Sequence, residues 1–166
     1  MTEQTTILEV LRREGTFVYT NVGTSMMPLL RQGKDLMVIR RREEPPKLWD
    51  AVLFERPNGQ LIMHRIVKRE VKDGQNIYLI LGDNCIAGEW VPEAAIHGTL
   101  VEIRRKGGKI IRPADLNYRL YLALWAKPYR LRTLLLKIKF KTKRVLYLTL
   151  RPIYRAIKKI FLRGKN

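Results

Sequence analysis

Leu61-Ile62-Met63-His64-Arg65-Ile66-Val67-Lys68, a break at Lys72-Asp73-Gly74-Gln75, and then Ile77-Tyr78-Leu79-Ile80-Leu81 form the stretch that decides the fold. Both runs are rich in β-branched and aliphatic residues and hold no proline, and Asp-Gly is favoured in tight hairpins. The pattern predicts two antiparallel strands. It repeats outward in both directions: runs at 17–22, 36–40 and 51–55 precede the pair, and runs at 98–104 and 109–112 follow it. Further breaks fall at Arg31-Gln32-Gly33-Lys34, Arg56-Pro57-Asn58-Gly59 and Lys106-Gly107-Gly108. Seven short strands joined by turns predict a mainly β chain with a compact, antiparallel, barrel-like body.

Helices are expected at the two ends. Thr6-Ile7-Leu8-Glu9 fits a capping box with Thr6 as N-cap, Ile7, Leu8, Val10 and Leu11 share an apolar face, and Gly15 suits the stop. After Pro113 turn residues nearly vanish, and residues 114–161 are rich in Leu, Lys, Arg and Tyr. Pro128 and Pro152 are the expected breaks, giving helices over 114–126, 129–150 and 153–162. Leu120, Tyr121 and Leu124 fall on one face, as do Leu131, Leu134 and Leu135, and later Ile153, Ile157, Ile160 and Phe161. The expected organisation is a β domain over 1–113 and a basic amphipathic helical tail over 114–166.

Charge follows the same division. Of the net +18, residues 1–113 hold 18 Lys and Arg against 14 Asp and Glu, while residues 114–166 hold 15 against Asp115 alone. A near-neutral body suits a folded catalytic or binding domain; the tail suits a polyanion. Cys85 is the one cysteine, so no intramolecular disulfide forms. The first residues lack the pattern of a secretory signal, and no apolar run approaches the ~18 to 20 residues that span a bilayer. The expected location is cytoplasmic, peripheral at the inner face of the membrane.

Three further segments carry chemistry. Gly23-Thr24-Ser25-Met26-Met27-Pro28 puts a serine in a turn just past a strand, His64 lies within the deciding stretch, and Gly82-Asp83-Asn84 follows the next strand. A serine attacks well only when a neighbouring base takes its proton, and histidine titrates near ~6.5, so it is free to do so at neutral pH. A lone serine, histidine or turn aspartate is each more simply a structural residue; their joint occurrence in this order is the signal. Lys68, placed by alternation on the His64 face, is the fallback base. His64, His97 and Cys85 show no metal-ligand spacing, so no metal or cofactor is expected.

These blocks resemble the signal peptidase I-like serine peptidases, which share a β fold with the self-cleaving phage-type repressors. The resemblance covers about residues 17–112. It rests on Ser25-Met26-Met27-Pro28, an aliphatic run after an acid at Asp35-Leu36-Met37-Val38 and again at Asp50-Ala51-Val52-Leu53, His64-Arg65-Ile66-Val67, and Gly82-Asp83-Asn84. It implies a serine endopeptidase with Ser25 as nucleophile, His64 as general base and then acid, and Asp83 as the orienting carboxylate, with Glu89 as the other candidate. Met26 and Pro28 would help to bind a peptide or precursor-protein substrate. A histidine before Arg65 resembles the Ser/His branch rather than the Ser/Lys branch. Gly23 stands where many members carry a hydroxyl, and the usual N-terminal membrane anchor is missing. The other implied readings are a repressor-like regulator, against which no DNA-binding module precedes the β body, and an inactive membrane-associated scaffold.

In the tail, aliphatic and aromatic residues alternate with Lys and Arg at helical intervals, which suits helices in an anionic membrane interface. Packing of these helices on the body is the alternative. Nucleic acid is the weaker partner, since no helix-turn-helix or aromatic RNA motif accompanies the charge.

Overall fold

Alternating apolar runs and tight turns assemble into one curled antiparallel sheet in the computed structural model, which describes residues 3–20 and 22–163, with side chains for 7–20 and 22–152. Helix α1 (Glu3–Glu14) leads into strands β1 (Thr16–Thr20), β2 (Asp35–Arg41), β3 (Ala51–Glu55), β4 (Leu61–Lys72), β5 (Gln75–Leu81), β6 (Glu89–Pro92), β7 (Ile96–Arg105) and β8 (Ile110–Ile111). A short helix α2 (Leu116–Tyr121), a π-helical segment (Leu122–Ala126) and a long helix α3 (Tyr129–Arg163) complete the chain. The strand order is β1-β2-β7-β3-β4-β5-β6, with β8 on β7, and the sheet curls into a half-barrel.

The deciding stretch forms the β4–β5 hairpin, with Lys72 opposite Gln75 across Asp73-Gly74. Both turn residues take positive φ, 51° and 74°, as a two-residue hairpin turn requires. Curvature comes from bulges. Register shifts occur between Val38 and Ile39, between Leu53 and Phe54, and between Ile66 and Lys68. Each inserts a residue that bends its strand and increases the local twist. Curling gives two apolar clusters. One gathers Leu11, Met26, Leu30, Leu53, Met63 and Leu100; the other gathers Val52, Phe54, Ile66, Tyr78 and Ile80.

The mainly antiparallel β body, the N-terminal helix and a helical C-terminus agree with expectation; four details differ. Strand β6 was not anticipated, because Gly88 precedes it, Pro92 ends it, and it is a short edge strand that pairs, among the described residues, with β5 alone. Helix α1 begins at Glu3, so Thr6 lies inside it rather than at its cap. Glu3 and Gln4 are good helix formers and extend it by most of a turn. Helix α3 runs through Pro152. The proline removes one backbone hydrogen bond there and its ring crowds the preceding turn, but helical backbone continues on both sides of it. Finally, residues 116–136 pack on the body: Tyr118, Ala126, Arg132 and Leu136 are all buried. The change at Pro113 is therefore one of secondary structure, while packing continues to Leu136. The apolar residues expected at 153, 157, 160 and 161 lie outside the described side chains.

Candidate active site

Ser25 sits in the long connection between β1 and β2, where one helical turn is closed by Leu30 N–H donating to the Met26 carbonyl at 3.0 Å. Met26, Leu29 and Leu30 are buried in the first apolar cluster. Their burial fixes the turn and leaves Ser25 half-exposed at its start. The Met27–Pro28 peptide is cis.

The Ser25 turn is fastened to the Gly82-Asp83-Asn84 turn after β5. Asn84 N–H donates to the Ser25 carbonyl at 2.7 Å, and Asn84 Nδ2 donates to the Thr24 carbonyl at 3.2 Å. Gly82 marks how tightly the groups meet. A methyl group there would lie 2.8 Å from the Ser25 carbonyl oxygen, 3.0 Å from His64 Nε2 and 2.6 Å from Cys85 Sγ. Three segments distant in sequence therefore converge on one glycine: the Ser25 turn, the His64 ring and the turn that carries Asp83.

His64 is only 8% exposed, opposite Val52 in the β3–β4 pairing, with its ring 6.1 Å from that of Phe54. Burial drives its pKa down to about 4; Glu89 works upward, Arg56 downward, and Asp83 upward to a smaller extent. The imidazole is thus neutral at pH 7 and able to accept a proton. Lys68 does not share this environment. The bulge after Ile66 turns it outward, where it pairs with Glu70 and lies over the Trp90 ring.

Asp83 is fully buried, but its carboxylate is committed elsewhere than the imidazole. Arg65 grips it through Nε at 2.9 Å and Nη2 at 2.7 Å, Arg132 Nη1 donates at 3.2 Å, and the Tyr121 hydroxyl donates at 2.7 Å. Trp125 Nε1 donates to the Asp83 carbonyl at 3.2 Å. Arg65 also donates to the Trp49 carbonyl and the Tyr118 hydroxyl. Burial opposes the Arg65 charge, yet the Asp83 carboxylate outweighs it and raises the guanidinium pKa. Arg132 is lowered, because for it burial prevails over Asp83. Asp83 is a structural hub joining β4, the Asn84 turn and the C-terminal helices.

The acid that acts most strongly on His64 is Glu89. It is held by Arg56 through Nη2 at 2.6 Å and Nε at 2.8 Å, and this pair keeps its pKa below the ordinary carboxylate range. Cys85 also borders Gly82, its thiol raised chiefly by burial.

Beside Ser25 opens an apolar cavity of about 300 Å³, lined by Phe17, Tyr19, Val22, Leu61 and Met63 among others. Met26 and Pro28 are not in its lining. Met26 is in the core, and Pro28 lines a separate groove with Leu29, Arg105 and Tyr118. The structure thus brings the Ser25 backbone carbonyl, His64 Nε2 and the Asp83 turn to one glycine, and keeps Met26 and Pro28 from the cavity. Sequence reasoning missed Arg56, Tyr121, Trp125 and Arg132; the last three were legible only as members of a basic aromatic tail. Among the described residues no group of three His, Cys, Asp or Glu is placed to hold a metal ion. No protein-family model matches this chain, and no curated protein matches it.

Proposed function

We propose that the chain is a serine endopeptidase of the signal peptidase-like type, with Ser25 as nucleophile and His64 as general base. The observation that carries this reading is the meeting of the Ser25 turn and His64 Nε2 at Gly82. In the reaction, Ser25 Oγ attacks the substrate carbonyl and His64 takes its proton. The backbone N–H of Ser25 is the nearest candidate to stabilise the oxyanion. His64 then returns the proton to the leaving amine, and water hydrolyses the acyl-enzyme with the same base.

A neutral imidazole favours this role, whereas a lysine would have to be desolvated first. The low pKa also makes the imidazole a weak base, which Glu89 offsets by favouring the imidazolium that forms in the reaction. Asp83 acts as a positioning residue, holding the turn that Asn84 ties to Ser25.

The substrate is a peptide or precursor protein bound in extended form. Strand β5 pairs with β4 only from Arg65 onward, so residues 61–64 have no strand neighbour on that side among the described residues. An added strand there would run along the apolar cavity and bring a carbonyl to Ser25.

Labelling with a fluorophosphonate tests the assignment. Wild type is expected to label, while Ser25→Ala and His64→Ala, with unchanged circular dichroism, are not. A Ser25→Ala protein that labels as fast as wild type refutes it. Absence of labelling in folded wild type would leave a peptidase-like scaffold in its place.

A further inference from the structure

Helix α3 leaves the body after Leu136: every residue from Lys137 to Pro152 is exposed. At about 100° per residue, Leu131, Leu134, Leu135, Ile138, Val145 and Leu146 fall within one arc of about 120°. Each of these side chains is at least 50% exposed. Arg132 and Leu136, the buried residues of α3, lie off this arc, about 40° and 80° beyond its edge. The stripe therefore points away from Arg132 and Leu136 and is exposed along its length, while Phe140, Tyr147, Leu148 and Leu150, also exposed, fall outside it.

Charge is arranged around the stripe with equal regularity. Lys137 and Lys141 border one edge and Lys139 and Lys143 the other, and α3 contains no acidic residue. We propose that this outward stripe docks in the interface of an anionic lipid bilayer, with α3 lying in the membrane plane. Lysine stems on both flanks can cover apolar surface while their ammonium groups reach lipid phosphates. No helix among the described residues is long and apolar enough to cross a membrane, so the face suits lying on a bilayer rather than spanning it.

The same arrangement disfavours the other occupants. A second copy would bring two wholly basic helices together, and like charges at close range repel. A nucleic acid would present phosphates to leucines, because the lysines border the stripe instead of filling it. The bilayer alone offers hydrocarbon to the stripe and anions to its edges. The Arg132–Asp83 contact lies on the body side, so docking leaves the candidate site intact. The proposal does not depend on peptidase activity.

Flotation of the full chain with vesicles tests it. Wild type is expected to float with mixed phosphatidylglycerol and phosphatidylcholine, and at least tenfold less with phosphatidylcholine alone. The variant Leu135→Gln, Ile138→Gln, Val145→Gln, Leu146→Gln should lose at least tenfold in partition to the anionic vesicles. Each Lys→Gln change at 137, 139, 141 and 143 should cost roughly fivefold. These lysines are exposed, so they carry the test should the apolar variant fail to fold by circular dichroism. Equal flotation with both vesicle types, or wild-type binding in the lysine variant, overturns the proposal. So does a stripe-dependent dimer in lipid-free sedimentation, or stripe-dependent retention on duplex DNA at physiological salt.

Discussion

A single methyl group at Gly82 tests whether the Ser25 turn and His64 work as one site. In Gly82→Ala the new Cβ would lie 2.6 Å from Cys85 Sγ, 2.8 Å from the Ser25 carbonyl oxygen and 3.0 Å from His64 Nε2. Gly82 does not have positive φ, so alanine brings no conformational penalty and crowding alone acts. The Ser25 carbonyl cannot retreat by itself, because Asn84 of the same turn donates to it at 2.7 Å. Either that bond lengthens or the imidazole swings away. Overpacking of this kind costs about 1–3 kcal/mol, which for a domain of this size lowers Tm by about 2–4 °C per kcal/mol. A displacement near 1 Å between reacting groups costs on the order of 100-fold in rate. Gly82→Ala should therefore remain folded, melt several degrees lower and label with fluorophosphonate about 100-fold more slowly. Adding Cys85→Ala removes the shortest contact, and should restore part of the stability but not the rate. Wild-type labelling and melting in Gly82→Ala would refute the reasoning, because the three segments then do not meet at that atom.

Further outcomes follow from the site. Because burial holds His64 near pKa about 4, the labelling rate should stay flat from neutral pH down to about pH 5 and fall below it; an acid limb near the ordinary ~6.5 would contradict the buried neutral imidazole. The folded value lies below the unfolded one, so the His64 contribution to stability is present above ~6.5 and lost as pH falls through about 4. This amounts to on the order of 3 kcal/mol, measurable as the difference in pH-dependent denaturation between wild type and His64→Phe. The two acids should separate: Asp83→Asn leaves Arg65 and Arg132 buried beside a neutral group and should cost about 3–5 kcal/mol in urea denaturation. Glu89→Gln should melt near wild type but label more slowly, with its acid limb below about 4, because Arg56 is then unopposed beside His64. Val22→Trp, which fills the cavity from its exposed rim, should raise KM for a peptide while leaving labelling by a small fluorophosphonate unchanged.

Local sequence made most of the sheet legible, because the turns at Asn58-Gly59, Asp73-Gly74 and Gly107-Gly108 specify hairpins within a few residues. The convergence of Ser25, His64 and Gly82-Asp83-Asn84 was legible as an ordered set of motifs, though no single one specifies contact. The partners of Asp83 were not. A carboxylate after a strand reads alike whether it faces an imidazole or two arginines, and Arg132 comes from 49 residues later in the chain. The bulge after Ile66 likewise defeats simple alternation, which had put Lys68 on the His64 face. Met26 illustrates the same limit: adjacency to Ser25 suggested a binding role, but its side chain turns into the core.

The grip of the C-terminal helices on Asp83 makes the site depend on residues beyond Pro113. A chain ending at Pro113 loses the Tyr121, Trp125 and Arg132 donors to Asp83, and with them Tyr118, which is both a core residue and an Arg65 partner. Leu136 alone contributes about 2 kcal/mol by burial, and each buried polar group left without a donor costs about 1–3 kcal/mol. The Asp83–Arg65 pair would be opened to water, and the turn that holds Ser25 would lose its backing. A chain ending at Lys143 keeps every one of these contacts, and the residues it removes up to Pro152 are exposed helix. The expected result is that the longer truncation labels and melts as the full chain does, while the shorter one does neither. If the chain ending at Pro113 labels at the full rate, the helices contribute nothing to the site, and the Asp83 hub is not what holds Ser25 in place.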